Sequence, residues 1–156
     1  MSFFWPSVFL IGVVCGLRSM TGPAVVCWAA HEGWISLADS PLAFMEHPVT
    51  LVIFTVLAAG ELIADKLPKT PARTSAFPLI ARIVLGGLCG VAVAVAGHAA
   101  LMAGALLGAI GAVAGTYGGY YYRYSTSGSG KVPDLPVALL EDLIAVGGGL
   151  LLFCRF

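Results

Sequence analysis

The chain has 156 residues, of which 59% are hydrophobic and 10% charged, with eight Lys plus Arg against eight Asp plus Glu and a mean hydropathy of +0.95. A soluble domain carries about 25% charged residues, so this sequence lacks the polar surface to cover a water-soluble globule. Its neutral balance, without a polybasic tail, also excludes nucleic-acid binding.

A spanning helix needs about 20 predominantly apolar residues. Five such spans use up most of the chain and leave one membrane domain over residues 1–156. The predicted class is an all-α integral membrane protein of about five transmembrane helices, the first one broken, with a short interfacial segment.

The first predicted span covers residues 4–30. The segment before it, Met1-Ser2-Phe3-Phe4-Trp5-Pro6, has no basic n-region, and Arg18 would interrupt the apolar stretch of a signal peptide. The segment therefore reads as a retained span. It is interrupted at Gly16-Leu17-Arg18-Ser19-Met20-Thr21-Gly22-Pro23. Proline removes a backbone donor and clashes with the preceding turn, so the expectation is a kinked or discontinuous helix whose freed backbone groups are satisfied by protein or water.

Residues 31–47 mix Glu32, Trp34, Asp39, Pro41 and Glu46 with apolar residues, which suits an interfacial segment. The second span covers 48–65 and is followed by a basic loop from Lys66 to Phe77, where Pro68 and Pro71 prevent helix. Residues 78–122 are too long for one span and read as a hairpin of two, 78–96 and 100–122, turning at Gly97-His98. A Gly/Ser loop leads to the fifth span, 135–153.

Lys66, Lys69, Arg73 and Arg82 adjoin the loop after span two, and Arg123 and Lys131 the loop after span four. The opposite side has Arg155 alone. The positive-inside rule then predicts both loops and the N-terminus in the cytoplasm, with the C-terminus outside.

Gly104, Gly108, Gly111, Gly115 and Gly118 recur at spacings that keep them on one face of the fourth span, with Gly86 and Gly90 on the third. Such faces let helix backbones approach closely. Tyr117, Tyr120, Tyr121, Tyr122 and Tyr124 form an aromatic belt at the interface. Cys15, Cys27, Cys89 and Cys154 are isolated in apolar stretches and read as packing residues. No Cys/His spacing suits zinc, so neither a metal nor a cofactor is expected. His31, His47 and His98 fall on the predicted outer side, at irregular spacing.

Few polar groups lie at membrane depth. An intramembrane charge costs roughly 2.5–3.5 kcal/mol on insertion scales and faces the bundle interior. Arg18, Ser19 and Thr21 sit at the break, Glu61 and Asp65 share a face of span two, and Glu141 and Asp142 lie early in span five. These seven residues are the candidate substrate or ion site. The four carboxylates require protons, cations or arginines near them, and Arg18, Lys66, Arg82 and Arg123 are the available internal partners. The segments Gly60–Asp65 and Glu141–Ala145 look alike, as in transporters with inverted repeats. No nucleophilic triad or phosphate loop is present, so the chain is not expected to be an enzyme.

Three segments carry a family resemblance: Gly16-Leu17-Arg18-Ser19, Glu61-Leu62-Ile63-Ala64-Asp65-Lys66-Leu67-Pro68, and Leu140-Glu141-Asp142-Leu143-Ile144-Ala145. Together they resemble the small bacterial membrane proteins catalogued as domain of unknown function 4126. The loop Ser127–Pro133 departs from the family, which is usually richer there in Asn, Pro and Glu. The resemblance implies a multi-pass protein of the bacterial inner membrane and brings no activity with it. Three functions are open to the sequence. They are a small transporter or channel with a proton or cation site in the cytoplasmic half, a structural protein that binds partners or its own copies through glycine faces, and a lipid-handling protein in which Arg18 meets a headgroup.

Overall fold

A computed structural model describes residues 3–64, 75–127 and 134–153. Among the described residues are six α-helices: α1 (Phe4–Leu17), α2 (Thr21–His31), α3 (Pro48–Ala64), α4 (Ala76–Ala96), α5 (Leu101–Ser127) and α6 (Asp134–Phe153). Helices α4, α5 and α6 are long and apolar enough to cross a membrane, and α1 and α3 are shorter apolar helices. Large apolar side chains such as Val52, Val56, Ile63, Ile80, Val84, Leu106, Ile110, Leu143 and Leu151 point outward and are more than half exposed. In water these would be a liability; in a bilayer they are the lipid-facing surface.

The break in the first predicted span falls at Arg18–Met20, where Arg18 is extended (φ −142°, ψ 111°) and ends α1. The chain does not kink and carry on there; it turns back. Pro23 is the third residue of α2, in a first turn whose amides have no intrahelical partner, so it starts a new helix at little cost.

The packing fixes the directions. Gly12 lies on Gly108, Val13 on Gly115, and Gly16 on Ala112, so α1 and α5 are parallel. Gly86 meets Gly108, Gly90 meets Gly104, and the Phe4 ring packs on Gly97, so α4 opposes both. The connection of residues 128–133 spans at most about 3.6 Å per residue. It is too short to return along the 27-residue α5, so α6 opposes α5. Helix α2 follows α6, with Arg18 at Asp142 and Val25 at Gly149, and opposes α3, with Trp28 at Thr55 and Met20 at Glu61. The six helices therefore alternate in direction.

One end of the bundle thus collects the start of α1, His31, His47 and the turn at Gly97–Ala100. In that turn His98 takes the left-handed region (φ 49°) and the Ala99 N–H closes onto Ala94 O. The end of α3 and the starts of α4 and α6 lie at the other end. Loop charges alone place the N-terminus on the same side as the basic loops. The fold places the start of α1 at the opposite end from the helix ends that those loops join, because the reversal at Arg18–Met20 adds one crossing.

Residues 31–47 pack over the end of α2 and the start of α3. Ile35, Leu37, Leu42 and Met45 are buried, Ala43–Glu46 is a short 3-10 helix, and the Leu37 N–H donates to Glu46 Oε1.

Glycines line the α1–α5 and α4–α5 seams. A Cβ at Gly12, Gly16, Gly90, Gly108, Gly111 or Gly115 would run into main-chain atoms of the facing helix. Thr116 locks the first seam, donating its hydroxyl toward Ala112 O and Gly16 O. Gly118 differs from the other four glycines of its predicted face: it is exposed, with nothing near its missing Cβ.

Candidate functional site

The break between α1 and α2 is the polar centre of the described structure. Helix α1 ends in apolar surroundings. The carbonyls of its last turn and the amides opening α2 therefore need partners from within the protein.

Glu61 supplies the acceptor for α2. It stands one turn before the end of α3, and its carboxylate faces the break. Oε1 accepts from the Ser19 N–H at 2.8 Å and the Ser19 hydroxyl at 2.6 Å; Oε2 accepts from the Met20 N–H at 2.8 Å. A negative group at a helix N-terminus also meets the positive end of the helix dipole. Arg82 of α4 completes the cradle, with Nη2 3.8 Å from Glu61 Oε1 and the residue 4% exposed.

Arg18 is fully buried and turns toward α6, where its Nε–H donates to Asp142 Oδ1 at 2.8 Å and Nη2 forms an ion pair with the same oxygen. Two ion pairs, the buried Arg18–Asp142 and the part-buried Arg82–Glu61, thereby tie the break to α6 and to α3 and α4. Removing a charge from water costs several kcal/mol, and only close pairing with further hydrogen bonds offsets it.

Of the seven candidate residues, the fold brings Arg18, Ser19, Glu61 and Asp142 together. Glu141 is buried in the same turn of α6 as Asp142. Thr21 is buried at the start of α2, and its hydroxyl finds no hydrogen-bond partner among the described residues. Asp65 lies outside the described residues, as do Lys66 and residues 128–133 of the Gly/Ser loop expected over 125–136; the first residues of that stretch are helical in α5 and its last begin α6. In the sequence Arg82 is one of four possible partners. Its register, two turns into α4, was the available signal. The Ser19 and Met20 amides had no signal, because backbone donors carry none.

A cavity of about 540 Å³ opens beside the break, between α2, α3 and α6. Thr21 and Leu62 line one part of it, then Ala24, Val25, Ala58 and Leu150, with Trp28 and Trp34 toward the far end of α2. The Trp28 indole N–H donates to Thr55 Oγ1 at 3.1 Å. Among the described residues no group of three or more His, Cys, Asp or Glu could hold a metal ion.

Chemically, the break is an anion cradle. Two backbone N–H groups, one hydroxyl and one guanidinium converge, and the protein's own carboxylate fills the space. Residues 7–154 match the family described as Domain of unknown function (DUF4126). The chain belongs to this family. The apolar helices of this DUF4126 family member mark it as a membrane protein, and the matched residues include both ion pairs and the glycine seams. No curated protein and no solved structure matches the chain.

Proposed function

We propose that this protein is a small transporter of the bacterial inner membrane that passes a small anion through the helix break, with Glu61 holding the anion cradle between passages. The observation that carries this reading is the placement of the Glu61 carboxylate on the Ser19 and Met20 amides beside Arg82. Interrupted helices whose N-termini face an anionic group are how many transporters bind substrates at membrane depth.

An incoming anion would take the same donors. A displaced carboxylate in apolar surroundings is stabilised by taking up a proton, so anion entry is coupled to proton uptake at Glu61. The proton site thus belongs to the same residue as the anion site. The basic segments face the cytoplasm by the positive-inside rule, which puts the break in the cytoplasmic half and the start of α1 outside.

A second reading is supported by the reciprocity of the two ion pairs: Arg18–Asp142 and Arg82–Glu61 fix helix register and nothing moves. The glycine-face alternative has less support, since the seam glycines of α1, α4 and α5 are covered by one another.

Purified protein in liposomes, screened for proton, divalent-cation and small-anion flux, separates the two main readings. Transport predicts anion flux above that of empty liposomes, with accompanying proton movement, and its loss in Glu61→Gln and Arg18→Gln while both variants stay folded. Absence of flux, with mutants that lose only thermal stability, would support the structural reading.

A further inference from the structure

The cradle and the cavity are adjacent along the chain. Thr21 follows Met20, whose amide holds Glu61, and Leu62 follows Glu61 itself; both line the cavity. From there the walls are mostly apolar, with Ala24, Val25, Ala58 and Leu150, while Thr55 lies partway and Glu32 beyond Trp28. The buried Thr21 hydroxyl, without a partner among the described residues, belongs to the cavity lining. A volume of about 540 Å³ falls within the roughly 300–1,000 Å³ of small-molecule sites.

We infer that the anion is a free monocarboxylic acid with a single alkyl chain, its carboxylate in the cradle and its chain in the cavity. The inference rests on the anion-cradle reading and names its substrate class. Charge complementarity argues for the head, because the Ser19 and Met20 amides and Arg82 already hold a carboxylate with both oxygens engaged. The cavity argues for the tail. The walls run along α2 from Thr21 to Trp28, about 10 Å at 1.5 Å per residue. An extended chain advances roughly 1.2 Å per bond, so on the order of eight carbons fill it. Thr21 supplies a donor to the head, which Glu61 does not use.

The test uses the full chain in nanodiscs with Glu61→Ala, which vacates the cradle, and Glu61→Ser as a second vacating variant. Formate, butyrate, octanoate and dodecanoate are titrated against thermal stability. Each is plotted against its free aqueous concentration, with empty nanodiscs as the partition control. Octyl phosphate and octylammonium are run beside octanoate. The half-effect concentration should fall with chain length, by up to about fourfold per added CH2, and level off near eight carbons. Ala58→Leu or the more exposed Ala59→Phe, each added to the vacated background, should abolish the dependence on length and leave the formate response in place.

If formate stabilises and longer acids do no better, the tail inference fails while the cradle reading stands. If octyl phosphate binds as well as octanoate, the head is not specific for carboxylate and the inference fails. If no anion, formate included, stabilises either variant, the cradle reading itself fails.

Discussion

Arg18 and Asp142, 124 residues apart in sequence, meet at the point where the first membrane segment reverses: the guanidinium Nε–H donates to Oδ1 at 2.8 Å, and neither residue is more than 9% exposed. The pair explains how a chain can end one helix and start another inside an apolar bundle. Arg18 ties the reversal to α6 while Glu61 caps the new helix from α3.

The first prediction concerns that pair. Asp142→Asn or Arg18→Gln alone leaves a buried charge without its counter-charge, which costs about 3–5 kcal/mol in comparable cases. The double variant should cost clearly less than the sum of the two singles. Reversible unfolding in mixed micelles measures all four proteins. Strict additivity would mean that the two side chains are not coupled.

Topology gives the second. The alternation of six helices puts Phe3 and His98 at one end and Ser75 at the other. Single cysteines at these positions, in a background freed of Cys15, Cys27, Cys89 and Cys154, should label from outside the cell at Phe3 and His98 and be protected at Ser75. Labelling of Phe3 and Ser75 from the same side would contradict the reversal at Arg18–Met20.

The glycine seams give a third. Gly115 and Gly118 sit one turn apart on α5, and a sequence reading assigns them to one face. A Cβ at Gly115 would run into Val13 main chain, whereas at Gly118 nothing lies within 4 Å. Gly115→Ala should therefore destabilise, by about 1–3 kcal/mol as overpacking does. Gly118→Ala should be neutral or stabilising, because Ala is the better helix former by up to about 1 kcal/mol. Thermal denaturation of the two purified variants checks this, and equal losses would refute the seam geometry.

Much of this was legible from composition and spacing, and the exceptions have physical causes. The apolar stretches marked α3 to α6, and the interruption at Arg18–Pro23 marked the break. Direction was not legible. A proline inside an apolar run reads equally as a kink in one helix or as the first turn of another, and only the packing of Cys15 against Gly22 and of Val25 against Gly149 decides it. That ambiguity also moved the start of α1 to the other end from the one that the loop charges suggested. In the site, Arg18, Glu61 and Asp142 were visible because charges in apolar stretches are conspicuous. The choice of partners was not, since four carboxylates and four cations allow many pairings. The main-chain donors of Ser19 and Met20 leave no trace in a sequence.

Ser19 separates the side-chain part of the cradle from its backbone part. Ser19→Ala removes the hydroxyl that donates to Glu61 Oε1 and keeps the N–H. A hydrogen bond to a charged group contributes about 1.5–3 kcal/mol, so a loss toward the lower end of that range is expected at this partly exposed carboxylate. Ser19→Pro removes the N–H as well and should cost more. Chemical denaturation of both variants orders them, and an equal loss would mean that the amide contributes nothing to holding Glu61.

The central claim is that Glu61 occupies an anion site built by the start of α2 and Arg82, and thermal stability of Glu61→Ala in formate tests it most directly. With ionic strength held constant, the account predicts a saturable rise in melting temperature with formate or acetate, absent in wild type, where Glu61 fills the cradle, and absent with ammonium or choline chloride as the varied cation. A variant whose stability is indifferent to small carboxylates, or responds equally to every salt, would contradict it.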